Sequence, residues 1–197
     1  MDLFEVYPLF DTPPVKAEGC WITAEKETRY LDLYGGHAVI SIGHSHPTFV
    51  KRLEDQLQRI AFYSNSVHNP LQQALAVKLG RASGLEDYHL FLCNSGAEAN
   101  ENALKLASFQ TGKARVIAFE NSFHGRTSAA VAATDNPTIV APLNAQHQVA
   151  FLPLNDAGAL ERELAKGDVC AVILESVQGV GGLSVAEPGF LKEADTL

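Results

Sequence analysis

Asn94-Ser95-Gly96-Ala97-Glu98-Ala99-Asn100 is the stretch on which the fold turns. Ahead of it, Tyr88 to Cys93 is an apolar run that reads as a buried strand. Behind it, Glu101 to Phe109 reads as a helix. Ala99, Ala103, Leu106 and Ala107 share one face of that helix, and Glu101 and Lys105 pair at i,i+4 on the other. A small-residue turn between strand and helix leaves backbone N–H groups unpaired at the helix N-terminus, and those donors together with the dipole suit a phosphate. Gly96 and Ala97 carry no bulk, so an anion can approach the main chain closely.

Outward from this turn, strands and helices alternate. The order is strand 88–93, helix 98–110, strand 115–119, helix near 127–133, strand 149–152, helix 157–165 and strand 169–174. Asp156 caps the last helix and Gly167 closes it. The 169–174 run is continuously apolar, as expected of a strand buried on both faces. Such alternation predicts an α/β fold with a mainly parallel sheet and flanking crossover helices. Ligands in such sheets sit beyond the carboxyl ends of the strands. The segments 94–97, 122–126 and 175–178 all follow strand ends, which places three motifs on one rim. Between the elements, 135–147 reads as a polar surface loop.

Upstream, Trp21 to Ala24 and Arg29 to Leu33 form a hairpin around Glu25-Lys26-Glu27-Thr28. Pro47 opens a helix on which Phe49, Val50, Leu53, Leu57 and Ile60 keep the helical period. Asn69-Pro70, with Gln72, opens another that carries Leu71, Leu75 and Leu79 and ends at Gly84. The expected organisation is an N-terminal segment with a small hairpin over 1–46 and an α/β domain over 47–197.

The chain has 197 residues, 46% hydrophobic and 19% charged, with a net charge of −8. That charge argues against a nucleic-acid partner. No apolar run reaches the ~20 residues of a membrane span. Met1-Asp2-Leu3-Phe4-Glu5 lacks a signal peptide's basic start and apolar core. Of Cys20, Cys93 and Cys170, the last two lie in apolar runs and read as reduced core residues. These features point to a cytoplasmic protein that handles small molecules.

A second segment sharpens the chemistry. Ser122-Phe123-His124-Gly125-Arg126-Thr127 offers an aromatic face, a flexible glycine and a fixed cation. A phosphate cradle, a ring platform and a carboxylate-reading Arg are what an amino-acid enzyme using pyridoxal 5′-phosphate requires.

These segments resemble the N-terminal half of a class III, fold-type I aminotransferase, and most of all the acetylornithine aminotransferase branch. The resemblance rests on Tyr7-Pro8-Leu9-Phe10, Gly19 to Gly43 with His44-Ser45-His46-Pro47, Ser64-Asn65, Cys93 to Leu106, Phe123 to Thr127 and Glu175 to Gly182. It implies the large domain of a fold-type I pyridoxal-phosphate transferase, incomplete in this chain. It also implies that Ser95, Gly96, Ala97, Phe123, His124 and Glu175 bind the cofactor, and that Arg126, Asn65 and Gln178 bind substrate. His37 is a further pocket candidate. His44 and His46 have too few neighbouring ligands for a metal site, and none is expected. The implied reaction moves the δ-amino group of N-acetylornithine or N-succinylornithine to 2-oxoglutarate, giving glutamate, as in arginine biosynthesis, in a homodimer. The alternatives are another class III ω-aminotransferase, acting on ornithine or 4-aminobutyrate, and an inactive fragment or binding module.

The sequence departs from the branch at one place. The usual Glu-Pro-Ile-Gln-Gly-Glu-Gly-Gly reads Glu175-Ser176-Val177-Gln178-Gly179-Val180-Gly181-Gly182 here, so Val180 replaces the second acid. This leaves the acyl group open. None of Lys16, Lys26, Lys51, Lys78, Lys105, Lys113, Lys166 or Lys192 matches the motif of the family's Schiff-base lysine. The 197 residues by themselves are therefore expected to be inactive. Lys192 to Leu197 reads as the start of a helix.

Overall fold

The computed structural model describes residues 1–4 and 6–197; Glu5, from the acidic N-terminal run, lies outside the described residues. The chain divides into two compact units, Met1–Gln73 and Ala74–Leu197. The division falls later than the 46/47 boundary drawn from the sequence.

In the first unit, β1 (Pro14–Glu18), β2 (Trp21–Ala24) and β3 (Arg29–Leu31) form an antiparallel sheet in that order. The expected hairpin is present, with a 3-10 turn at Glu25–Glu27. β1 adds a strand that the sequence reading passed over. It opens on Pro14, which lacks an N–H and is tolerated at a strand's first residue. β3 stops at Leu31, and the carboxylate of Asp32 turns to the chain beyond. Its Oδ1 accepts from the N–H groups of Tyr34 (3.0 Å) and Gly35 (2.7 Å), while Oδ2 meets His44 Nε2 at 2.7 Å. These bonds anchor α1 (Gly35–Ala38), a turn whose residues all have positive φ, including His37 at 58° and Ala38 at 60°. Left-handed backbone at non-glycine residues costs roughly 1–2 kcal/mol each. α2 (Pro47–Arg59) starts with Pro at its first position as expected, and its apolar stripe is exposed. α3 (Pro70–Ser83) crosses the boundary between the units, and Asn69 Oδ1 accepts from Leu71 N–H at 3.0 Å at its start.

The second unit continues with α4 (Gly96–Thr111), β4 (Arg115–Phe119), α5 (Ser128–Ala132), β5 (Val149–Leu152), α6 (Ala157–Leu164), β6 (Val169–Val172), the two-residue strands β7 (Val177–Gln178) and β8 (Ser184–Val185), and α7 (Pro188–Thr196). β5, β4 and β6 form a parallel sheet with β4 in the centre. Ile117 and Phe119 of β4 are fully buried. They cluster with Leu152, Leu160, Ala186 and Phe190, so α6 and α7 cover the sheet here. The Phe119 and Phe190 rings meet edge-on at 5.6 Å, a favoured aromatic geometry. Asp156 caps α6 through Ala159 N–H (2.8 Å), as its sequence position implies. The 135–147 segment carries only a 3-10 turn, Pro137–Ile139.

Three expectations are corrected. Tyr88 to Cys93 is no strand: it is irregular, and its side chains, Cys93 included, are exposed. A strand exists through its ladder, and the sheet's edge strands β5 and β6 do not pair with this run. β6 is not buried on both faces, because it is an edge strand; Val172 is exposed and Cys170 only half-buried. Glu101 does not pair with Lys105. Its carboxylate caps α5 instead.

Candidate cofactor site

Ser95 sits in extended backbone as the N-cap of α4, and its Oγ accepts from Glu98 N–H at 3.2 Å. Ala99 N–H donates to the Ser95 carbonyl at 3.1 Å. Glu98 reaches back to accept from Asn94 N–H at 2.6 Å, and that bond above all holds its carboxyl below the usual carboxylate range. The N–H groups of Gly96 and Ala97 have no partner among the described residues. They are the two donors that the sequence assigned to a phosphate, at the positive end of a helix running to Thr111.

The second motif lies directly against this turn. A Cβ on Gly125 would come within 2.6 Å of Ala97 Cβ, and Gly125 has φ +134°. Only glycine permits both that backbone and that approach. Asn100 Nδ2 donates to the His124 carbonyl at 2.8 Å, and Thr127 Oγ1 lies 3.4 Å from the Ala97 carbonyl. The third motif joins through Glu175, which accepts from Phe123 N–H at 2.8 Å. Because β4 and β6 are parallel, the segments after Phe119 and after Val172 leave the sheet at the same edge.

The structure thus brings Ser95, Gly96, Ala97, Phe123, His124, Arg126 and Glu175 to one rim. Phe123 is half-buried, Arg126 is exposed, and Glu175 is half-buried under the Phe123 main chain. Gln178 is 1% exposed and donates to the Glu120 carbonyl at 2.7 Å, so it pins the β4 turn from within. Beside it, a Cβ on Gly181 would fall 2.1 Å from the Asn121 carbonyl oxygen. Asn65 lies in the first unit, exposed in the run between α2 and α3.

His124 is 5% exposed. Its N–H donates to Thr134 Oγ1 at 2.9 Å, and its Nε2 is buried with no hydrogen-bond partner. Burial pushes the imidazole's pKa down, against the pull of the Glu175 carboxylate, so the ring is neutral at pH 7. Such an orphan is rare in a native core, and it fits a site completed by a polar ligand atom or a water. One cleft of this unit is lined by Glu101, Ala129 and His147, and another, between α6 and α7, by Ala157, Glu161 and Lys192.

Asn100, Glu101 and Thr127 carry much of this geometry; the sequence reading gave none of them a place in the site and set Glu101 against Lys105 instead. Ala97, Asn100 and Glu101 fall at i, i+3 and i+4, one helical face, and that spacing was the available signal.

The profile of the aminotransferase class-III family matches residues 6–197 of the chain. The chain belongs to the class III aminotransferases. An acetylornithine aminotransferase from Bacillus amyloliquefaciens is 40% identical over 193 residues, covering 96% of this chain and 82% of that relative. One from Bacillus subtilis (strain 168) is also 40% identical over 193 residues, covering 96% of this chain and 49% of its own length. The crystal structure of the ornithine aminotransferase from Toxoplasma gondii ME49 superposes with a TM-score of 0.88 at 27% identity, over 98% of this chain and 48% of that one. The chain therefore spans about half the length of the Bacillus subtilis relative. Its fold is that of fold-type I aminotransferases, and class III aminotransferases depend on pyridoxal 5′-phosphate. Two unpaired N–H groups at a helix start and an orphaned buried imidazole fit such a group. No cluster of His, Cys, Asp or Glu that could hold a metal occurs among the described residues, and His44 is engaged by Asp32.

Proposed function

We propose that the whole protein is a pyridoxal-phosphate-dependent aminotransferase that moves the δ-amino group of an N-acylated ornithine to 2-oxoglutarate. The observation that supports this best is the packing of Gly125 on Ala97. It sets the phosphate-accepting turn beside the segment that bears Phe123 and Arg126. The bound cofactor supplies an electron sink through which an amino group is exchanged for a carbonyl. Gly96 and Ala97 hold its phosphate through their N–H groups, and the Ser95 hydroxyl, whose oxygen caps the helix, has its own proton to donate. Phe123 offers an aromatic face to the ring. Glu175 fixes that face by holding the Phe123 N–H. Arg126 reads a substrate carboxylate, for which a planar guanidinium is better shaped than an ammonium. The names and 40% identity of the Bacillus relatives support N-acetylornithine as the donor; Val180 keeps N-succinylornithine in contention.

Lysine placement supports a second part of the reading. All eight lysines are exposed. Lys51 is held by Asp55 at 2.6 Å and Lys166 by Glu163 at 2.7 Å. None is a candidate for the family's cofactor-bearing lysine, so the 197 residues by themselves do not turn over substrate. A homodimer and a cytoplasmic location complete the proposal. No helix among the described residues is long and apolar enough to cross a membrane.

The test is a donor panel with the whole protein and 2-oxoglutarate, reading glutamate formed. N-acetylornithine or N-succinylornithine should give the highest kcat/KM. A preference for free ornithine or 4-aminobutyrate would move the protein to another branch of the family. No glutamate from any donor would remove the aminotransferase reading.

A further inference from the structure

We infer that Glu101 is a positioning residue that sets the Arg126 guanidinium relative to the phosphate-accepting turn, and so governs affinity for carboxylate-bearing substrates. The inference rests on the proposed role of Arg126. Glu101 lies one helical turn after Ala97 on α4, yet every hydrogen bond its carboxylate accepts comes from the chain just after Arg126. Its carboxylate accepts from Thr127 Oγ1 at 2.7 Å, from Ala129 N–H at 2.9 and 3.0 Å, and from Ala130 N–H at 3.1 Å. These are charge-assisted bonds, the stronger and more directional kind. They cap the five-residue α5, which has no side-chain cap from Thr127 itself.

Arg126 is therefore bracketed. On one side, Gly125 rests on Ala97 and the His124 carbonyl is held by Asn100. On the other, Thr127, Ala129 and Ala130 are held by Glu101. Ala97, Asn100 and Glu101 share one face of α4, the helix whose first two N–H groups have no partner among the described residues. A single rigid helix thus references both the phosphate position and the guanidinium. Rigid backing of this kind is how a binding side chain is kept within a fraction of an ångström of its working place. The carboxylate is partly desolvated, which pushes its pKa up, but the Ala129, Thr127 and Ala130 donors outweigh this and hold it ionised.

The experiment uses the whole protein loaded with pyridoxal phosphate, and compares wild type, E101Q, T127V and R126Q. Steady-state KM for 2-oxoglutarate, kcat, the Kd for pyridoxal phosphate, the Tm and amide hydrogen exchange over 127–130 are measured. E101Q keeps the shape and loses the charge. It should raise KM for 2-oxoglutarate about tenfold, leave kcat and the pyridoxal phosphate Kd within about threefold, and speed exchange of the Ala129 and Ala130 amides. T127V removes one of the three donors without touching Glu101 and should raise KM by a smaller factor. It serves as the decisive variant should E101Q not fold. Unchanged KM in E101Q with a raised KM in R126Q would overturn the inference. So would equal losses of carboxylate and cofactor affinity, which mark general destabilisation. If R126Q itself binds 2-oxoglutarate normally, the reading of Arg126 fails, and with it the link from Glu101 to substrate. The hydrogen-exchange result would then still show whether Glu101 holds the segment.

Discussion

Two side chains at the rim behave differently because one is exposed and the other is dry. Arg126 is exposed, and on the proposed reading it binds a substrate carboxylate. Arg126→Ala in the whole protein should raise KM for the amino donor at least about tenfold, the cost of a charge-assisted pair, with cofactor affinity retained. Steady-state kinetics and a cofactor titration check it. His124 is buried and neutral, and its pKa lies below the ordinary value. The folded state therefore binds fewer protons than the unfolded chain once the unfolded imidazole titrates. Stability contributed by keeping this ring neutral is present above about pH 6.5 and is lost as pH falls below it. Urea midpoints between pH 8 and pH 5 should fall for the wild type. They should fall less steeply for His124→Gln, whose side chain does not titrate.

At the scale of elements, α4 carries the most. Its start is built by Ser95, and Ser95→Ala should cost about 1 kcal/mol of stability, read from denaturant unfolding. Its contact with the next motif depends on the bare backbone of Gly125. Gly125→Val adds a Cβ and two methyl groups at a position where the Cβ alone would overlap Ala97. The expected result is a separation of the two motifs, seen as loss of pyridoxal phosphate binding that exceeds any loss of Tm. The helical period, the cap at Asp156 and the alternation after Arg115 are all local signals, and each was readable in the sequence. Tyr88 to Cys93 shows the limit. An apolar run has the composition of a strand, but only a neighbouring strand can supply its hydrogen bonds.

Across the molecule, the core of the second unit is concentrated on β4. Phe119 is fully buried against Leu152, Leu160 and Phe190, so Phe119→Ala should cost about 3–5 kcal/mol, a large share of a domain's stability. The lysines give the functional counterpart. The purified 197-residue chain, mixed with pyridoxal phosphate and reduced with borohydride, should show scattered, substoichiometric labelling over its exposed lysines and no turnover. One stoichiometrically labelled lysine together with turnover would reverse that assignment.

The sequence by itself determined the parallel α/β order, the small-residue turn at Ser95 to Ala97 that opens α4, and the rim that follows β4 and β6. Each of these rests on periodicity, capping or small-residue spacing within a few residues of chain. What only the tertiary structure decided depends on partners far apart in sequence. Glu101 looked like half of a surface pair with Lys105 and instead caps α5, because the N–H groups of Ala129 and Ala130 are brought to it across 28 and 29 positions. Gln178 looked like a substrate contact and lies under the β4 turn, where the Glu120 carbonyl, 58 positions away, needs a donor. Two Asp32 bonds are local, but the third, to His44, explains a histidine that no nearby residue could account for. Buried polar groups must find partners wherever the fold supplies them, and a linear sequence does not record where that is.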